Sequence, residues 1–186
     1  MPGLRVIAGS AKGRRIHSVP GDITRPITDR AKESLFNIIG PDIEGAAFLD
    51  LFAGTGSVGI EALSRGASFC RFVDKNNQAL DTVKSNLKLT GFTNQAQVMR
   101  MDALKMLALP PDRKFEYAFI APPQYKKMWL NAIQGLNQNS SWLSDDAWVI
   151  VQIHPVEYEA VKLEYLGEFE QRKYGSVLFV FFSTSS

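Results

Sequence analysis

The sequence predicts an α/β fold, a doubly wound and mostly parallel sheet, and three observations predict it. Near-continuous apolar runs of strand length alternate with helix-period segments from residue 46 onward, the pattern of a parallel sheet covered on both faces. A glycine-rich turn follows the first of those runs. The alternation ends in two consecutive strand-like runs around Tyr174-Gly175, which predict an antiparallel C-terminal hairpin at the sheet edge.

The elements follow in order. Residues 4–9 and 15–19 are expected as two short strands joined by a Gly/Ser/Lys turn. TDRAKESLFNIIG reads as a helix, with Thr28 or Asp29 as its cap and Leu35, Phe36 and Ile39 as its apolar stripe. Gly40 ends it and Pro41 prevents continuation. AAFLDLFA is the first core strand and SVGIEALSRGA the helix after it. SFCRFVDK, AQVMRMD, FEYAFIAPP and AWVIVQI are the next four strands. Between them lie NQALDTVKSNLKLTG, closed by Gly91, a short helix around ALKMLAL, and a helix expected from Tyr125 to Gln138. Residues 1–40 are read as a small hairpin-helix extension and 41–186 as the α/β domain.

Composition excludes several classes. No apolar run reaches the ~18 residues of a membrane helix, and the N-terminus lacks the apolar stretch and cleavage site of a signal peptide. A cytoplasmic protein is expected. Cys70 is the single cysteine, so no intrachain disulfide can form and a buried core thiol is expected. His17 and His154 are the only histidines, too few for a metal site without partners, and no metal is assigned. The overall charge of +2 hides an asymmetry. Residues 1–30 carry six basic and two acidic side chains, whereas residues 31–186 carry 15 basic and 17 acidic. Lys12, Arg14, Arg15, Arg25 and Arg30 are therefore candidates for contact with a phosphate backbone, against the alternative of a solvated tail.

The chemistry gathers around Asp50-Leu-Phe-Ala-Gly54-Thr-Gly56-Ser-Val-Gly59. Glycines 54 and 56 allow a tight turn with a ligand against the backbone, and Gly59 lets the following helix approach the strand. G-x-G-x-x-G alone fits a dinucleotide pyrophosphate on a helix N-terminus as well as S-adenosyl-L-methionine (SAM). Asp50 tips the balance: a carboxylate there repels pyrophosphate and attracts the ammonium of a methionine moiety. Asp74 and Asp102 end the next two strands, placed to accept from ribose hydroxyls and an adenine amino group. Each acid could instead cap the helix after it.

The run DLFAGTGSVGIEALSRGA resembles the SAM-binding motif of the bacterial 16S rRNA guanine-N2 methyltransferases. The upstream RVIAGSAKGRRI…TRPITDRAKESLFNII resembles that family's N-terminal signature and is the more specific of the two. The resemblance implies a seven-stranded, Rossmann-like class I methyltransferase sheet, SAM as cofactor, and 16S rRNA or a small-subunit assembly intermediate as partner. It implies that Phe52, Gly54, Gly56, Asp74, Ala121 and Thr28 line the cofactor. Arg25, Pro26, Thr28 and Arg30 would belong to the segment that lies across it and faces RNA.

The fourth strand departs from the family pattern. An Asp or Asn is expected before Pro-Pro-aromatic, where it accepts a hydrogen bond from the target amine, but this chain reads Ala121-Pro122-Pro123-Gln124-Tyr125. The Pro122 carbonyl, with Pro123, the Gln124 amide and a stacking Tyr125, is left to position the base. Lys126 and Lys127 could meet phosphates beside it. Three readings stay open: guanine-N2 methylation, methylation of an adenine amine, and SAM and RNA binding with weak or no catalysis.

Overall fold

The structure, a computed structural model, describes residues 3–21, 27–124 and 126–184. Arg25, Pro26 and Tyr125 lie outside the described residues.

Seven strands form one sheet in the order β3-β2-β1-β4-β5-β7-β6. They are β1 (Ala47–Leu51), β2 (Phe69–Asp74), β3 (Ala96–Arg100), β4 (Phe115–Ile120), β5 (Leu143–Ile153), β6 (Leu166–Tyr174) and β7 (Val177–Thr184). The first five pair in parallel, and β7 runs antiparallel between β5 and β6. Composition explains why β7 lies inside and β6 at the edge. VLFVFF presents a buried run, whereas the polar EFEQRK can face water and deters further strand addition.

The helices are α1 (Asp29–Ile39), α2 (Ser57–Ser64), α3 (Asn77–Thr90), α4 (Ala103–Leu107) and α5 (Met128–Gln138). Because side chains alternate along a strand, each core strand feeds two layers. Phe48, Cys70, Phe72, Phe119 and Ile150 pack with residues of α1, α2 and α3. Leu49, Leu51, Val73, Ile120 and Val151 pack with residues of α4 and α5 on the other face.

Thr28 caps α1 by accepting from the Ala31 N–H, Leu35, Phe36 and Ile39 are buried, and Gly40 ends the helix with φ of 70°. Gly91 closes α3 in the left-handed region. Helix α5 begins at Met128 rather than Tyr125, because Lys127 stands at its N-cap with φ of 52° and interrupts the turn. Strand β5 begins at Leu143, four residues before the apolar run; exposed Asp145 and Asp146 hid that start. The N-terminal hairpin has one ladder bridge, Arg5 to Arg15, instead of two strands. Its Val6–Arg14 and Ile16–Leu4 backbone bonds still hold it together.

That hairpin is bolted to α2. The Glu61 carboxylate, with no exposed surface, accepts from the Ile7 and Ala8 N–H groups at 2.9 and 3.1 Å and from Arg65 Nε at 2.8 Å. Lys32 Nζ stands 3.4 Å from it. Lys32 also donates to the Arg5 carbonyl and to Ser57 Oγ. Burial pulls the Lys32 ammonium below its ordinary value, and Glu61 pulls it back up.

Glu61→Ala leaves a buried ammonium and two backbone donors without their acceptor. Removing one partner of such a pair costs about 3–5 kcal/mol, and at this chain length each kcal/mol moves the melting point by about 2–4 °C. Thermal unfolding should fall by about 6–20 °C, and limited proteolysis should cut within residues 4–16 before the rest of the chain.

Candidate active site

The sheet's carboxyl edge gathers the candidates. Leu51 lies in register with Val73 on one side and Ile120 on the other, so the next residues, Phe52, Asp74 and Ala121, stand abreast. This is where the strand order reverses between β1 and β4, the crevice in which open α/β sheets bind ligands. Phe52 has φ of 60°, an uncommon conformation for a non-glycine residue that clusters at functional sites.

Three backbone N–H groups of the loop after β1 are held within the chain. Ala53 N–H donates to the Val73 carbonyl, Gly54 N–H to Asp74 Oδ2 at 3.0 Å, and Gly56 N–H to the Ala53 carbonyl. The three glycines serve different ends. At Gly54 (φ 57°) an added Cβ would meet nothing within 4 Å, so this position faces open space. At Gly56 a Cβ would press on Val83 and Phe72, and at Gly59 it would lie 2.4 Å from the Phe72 ring and 2.6 Å from Cys70 Sγ. Gly54 thus leaves the loop open on one side, while Gly56 and Gly59 let it sit close to β2 and α3.

Two of the N-terminal donors of α2 are already engaged: Ser57 N–H bonds Thr55 Oγ1 and Gly59 N–H bonds Asp50 Oδ2 at 3.1 Å. A pyrophosphate would need such donors free. Asp50, aimed by the sequence reading at a ligand ammonium, turns its carboxyl to this helix and is 2% exposed. Burial pushes that carboxyl well above the usual carboxylate range; the Gly59 N–H opposes the shift and Asp74 adds to it.

The other two acids part ways. Asn76, not Asp74, caps α3; Asp74 bonds the Gly54 and Asn76 N–H groups and remains half-buried at the edge of the crevice. Asp102 caps α4 through Oδ1, accepting from Leu104 and Lys105. These residues fit SAM: an open glycine face beside an accessible carboxylate, with the Ser57 and Gly59 N–H groups of α2 already engaged within the chain.

Ala121 and Pro122 are half-buried and Pro123 and Gln124 exposed. Lys127 stands 3.7 Å from Glu159, both exposed. Thr28 is spent on capping α1, and Arg30 is exposed on that helix, without a salt bridge to Glu33. Lys12, Arg14 and Arg15 are exposed on the hairpin, Arg14 reaching the Leu89 carbonyl at the end of α3. Among the described residues no cluster of His, Cys, Asp or Glu could hold a metal ion, and no helix is long and apolar enough to cross a membrane.

Sequence reasoning missed three residues. Lys32 occupies an apolar-stripe position of α1 with Leu35, Phe36 and Ile39, Asn86 sits on the buried face of α3 with Val83 and Leu87, and Glu61 lies in a helix buried throughout. A polar side chain in an apolar stripe was the available signal.

A seven-stranded sheet of this order with a glycine loop after β1 is the fold of Rossmann-like, class I SAM-dependent methyltransferases. The chain belongs to the family described as Conserved hypothetical protein 95, whose model matches residues 4–183. It is 47% identical over 158 residues to YlbH of Bacillus subtilis, covering 84% of this chain and 85% of that one. It is 36% identical over 151 residues to the ribosomal RNA small subunit methyltransferase D of Haemophilus influenzae, covering 80% and 78%. The solved structure of yhhF from Escherichia coli matches with a TM-score of 0.86 at 30% identity, covering 100% of this chain and 99% of that one. The chain therefore belongs with the SAM-dependent methyltransferase family that includes the small subunit methyltransferase D proteins.

Asp50 generates a pH prediction. The folded state holds the Asp50 proton above the ordinary carboxylate range, whereas the unfolded chain loses it near pH ~4. Between those values the folded protein binds more protons, so stability from this group is present at low pH and is lost as pH rises. Asp50→Asn keeps an oxygen for the Gly59 N–H and has no proton to lose. Melts from pH 4 to 8 should show the variant gaining on the parent as pH rises; a constant difference would mean that Asp50 titrates as a free carboxyl.

Proposed function

We propose that the protein transfers a methyl group from SAM to the exocyclic N2 amine of a guanine in 16S rRNA, on naked RNA or on a small-subunit assembly intermediate in the cytoplasm. The observation that carries the cofactor assignment is the open Gly54 face beside Asp74, with the Ser57 and Gly59 N–H groups of α2 already engaged. The N-terminal signature and the small-subunit methyltransferase D of H. influenzae support the substrate.

In this reading Gly54, Gly56 and Phe52 line the methionine portion, and Asp50 acts at its ammonium end through the first turn of α2, which it braces. Asp74 takes the ribose hydroxyls and Asp102 the adenine amino group, Oδ1 being occupied by the α4 cap. Thr28 and Ala121 close the sides. Residues 1–40 form the RNA-facing extension of the methyltransferase domain at 41–186, with Lys12, Arg14, Arg15, Arg25 and Arg30 on phosphates.

SAM supplies a methyl group already activated on a sulfonium. The chain's task is to hold a weakly nucleophilic amine, its lone pair delocalised into the base, in line with that methyl. The Pro122 carbonyl accepts one N–H, Pro123 keeps the turn rigid, Gln124 offers a nearby amide oxygen, and Tyr125 stacks on the base. The proton leaves late to water, so no strong base is needed. Ala121 favours a second reading, a SAM- and RNA-binding factor with little or no catalysis, because the side-chain acceptor is absent.

Methyl transfer from labelled SAM to unmethylated small-subunit particles, followed by nucleoside mass analysis, separates the readings. N2-methylguanosine is expected. Methylated adenosine would move the target to an adenine amine, and no product with SAM bound would favour the non-catalytic factor. Ala121→Asn restores one acceptor worth about 1.5–3 kcal/mol and should raise turnover roughly ten- to a hundred-fold if it acts in the transition state.

The arm has its own test. Replacing Lys12, Arg14 and Arg15 together with Ala should weaken RNA binding and flatten its salt dependence by about one to three units of slope, with SAM affinity unchanged. Equal RNA affinity across a salt series would leave the arm a solvated surface.

A further inference from the structure

We propose that Asn86 is the positioning residue that joins the RNA-facing arm to the SAM loop, so that the two ligands bind cooperatively. The proposal rests on the reading above for the identity of both ligands. An asparagine side chain offers one carbonyl acceptor and two N–H donors. Asn86, with no exposed surface, engages both its atoms: Oδ1 accepts from the His17 N–H at 2.7 Å, and Nδ2 donates to the His17 carbonyl at 3.0 Å and the Thr55 carbonyl at 2.9 Å.

With His17 the amide pairs as a neighbouring strand would. With its other N–H it holds the middle residue of the glycine loop. His17 closes the stretch that carries Lys12, Arg14 and Arg15. Thr55 adjoins Gly54, the open position, and its Oγ1 accepts the Ser57 N–H. One buried side chain therefore touches the backbone of both partner-facing segments.

The arm's other contacts go elsewhere. Ser64 Oγ donates to the Ala8 carbonyl and accepts from the Ala11 N–H, on the body of α2. Glu61 holds Ile7 and Ala8, also on the helix. Lys32 reaches Ser57 from the Arg5 carbonyl, but it engages a side chain at the first residue of the helix and not the loop backbone. Only Asn86, among these anchors, holds both the arm and the backbone of residues 54–56.

A buried amide cannot let go of one partner cheaply, because an unsatisfied buried donor is costly. An arm ordered by RNA therefore orders the loop through Asn86, and the loop ordered by cofactor orders the arm. A ligand that rigidifies one side lowers the ordering cost for the other, and the coupling is reciprocal.

The test measures binding of labelled S-adenosylhomocysteine to the full chain, with and without saturating unmethylated small-subunit particles. The wild type should bind the nucleoside at least about five-fold tighter with particles present, the lower end of ordinary coupling. Asn86→Ala should still bind each ligand separately, with the ratio reduced to one. Ser64→Ala, which loosens the arm without touching the loop, should keep the wild-type ratio. A ratio of one in the wild type, a full ratio in Asn86→Ala, or an equal loss in Ser64→Ala overturns the proposal. Failure of the wild type to bind either ligand at all would overturn the functional reading instead. Should Asn86→Ala not fold, hydrogen exchange on the wild type decides: particles without nucleoside should slow the Gly54, Gly56 and Ser57 amides, and unchanged rates there overturn the link.

Discussion

Glu61 is a carboxylate sealed from water, and it ties the hairpin and α1 to α2. Its oxygens take two backbone N–H groups of the hairpin, the guanidinium of Arg65 and the ammonium of Lys32. Lys32 in turn reaches back to the hairpin at Arg5 and forward to Ser57, where α2 begins. A charge so deeply buried is tolerable only when fully paired. The cluster is therefore intolerant of displacement by any one member, and the hairpin, α1 and α2 share one geometry. The aromatic and aliphatic residues around them, Val6 and Ala11 of the hairpin with Leu35 and Phe36 of α1, join the same hydrophobic cluster as Phe48 and Phe72 of the sheet.

The same economy governs the glycine loop. A helix N-terminus is an anion site only while its donors are free. Here Thr55 and Asp50 occupy two of them from within the chain, and what remains open is backbone surface at Gly54 beside Asp74. Two loops with the same glycine spacing can thus favour different ligands. The difference lies in a carboxyl below the turn and in which glycine faces outward, neither of which the spacing states.

The order of elements was legible in the sequence because periodicity reports burial directly. Alternating residues of each parallel strand feed two cores, so the strands read as apolar runs, and the caps Thr28, Gly40 and Gly91 stand where the pattern placed them. The boundaries that moved did so for local reasons. Lys127 in the left-handed region delays α5 to Met128, and exposed acids mask the first turn-side residues of β5. The hairpin failed to become a ladder because its partners are α2 and α3 side chains as much as its own second arm.

By itself, the sequence determined the alternation, the antiparallel C-terminal hairpin at the sheet edge and the position of the glycine turn, all of which follow from local pattern and residue chemistry. The tertiary structure alone decided which acid does what. Asp50 went to the helix start, Asp102 to a cap, and Asp74 to the crevice edge, because hydrogen-bond partners are set by which chain segments meet. It also brought Lys32, Glu61 and Asn86 from three separate helices to the face on which the hairpin sits. Contacts separated by 25 to 69 residues in the chain leave no spacing to read, only a polar residue where an apolar one was due.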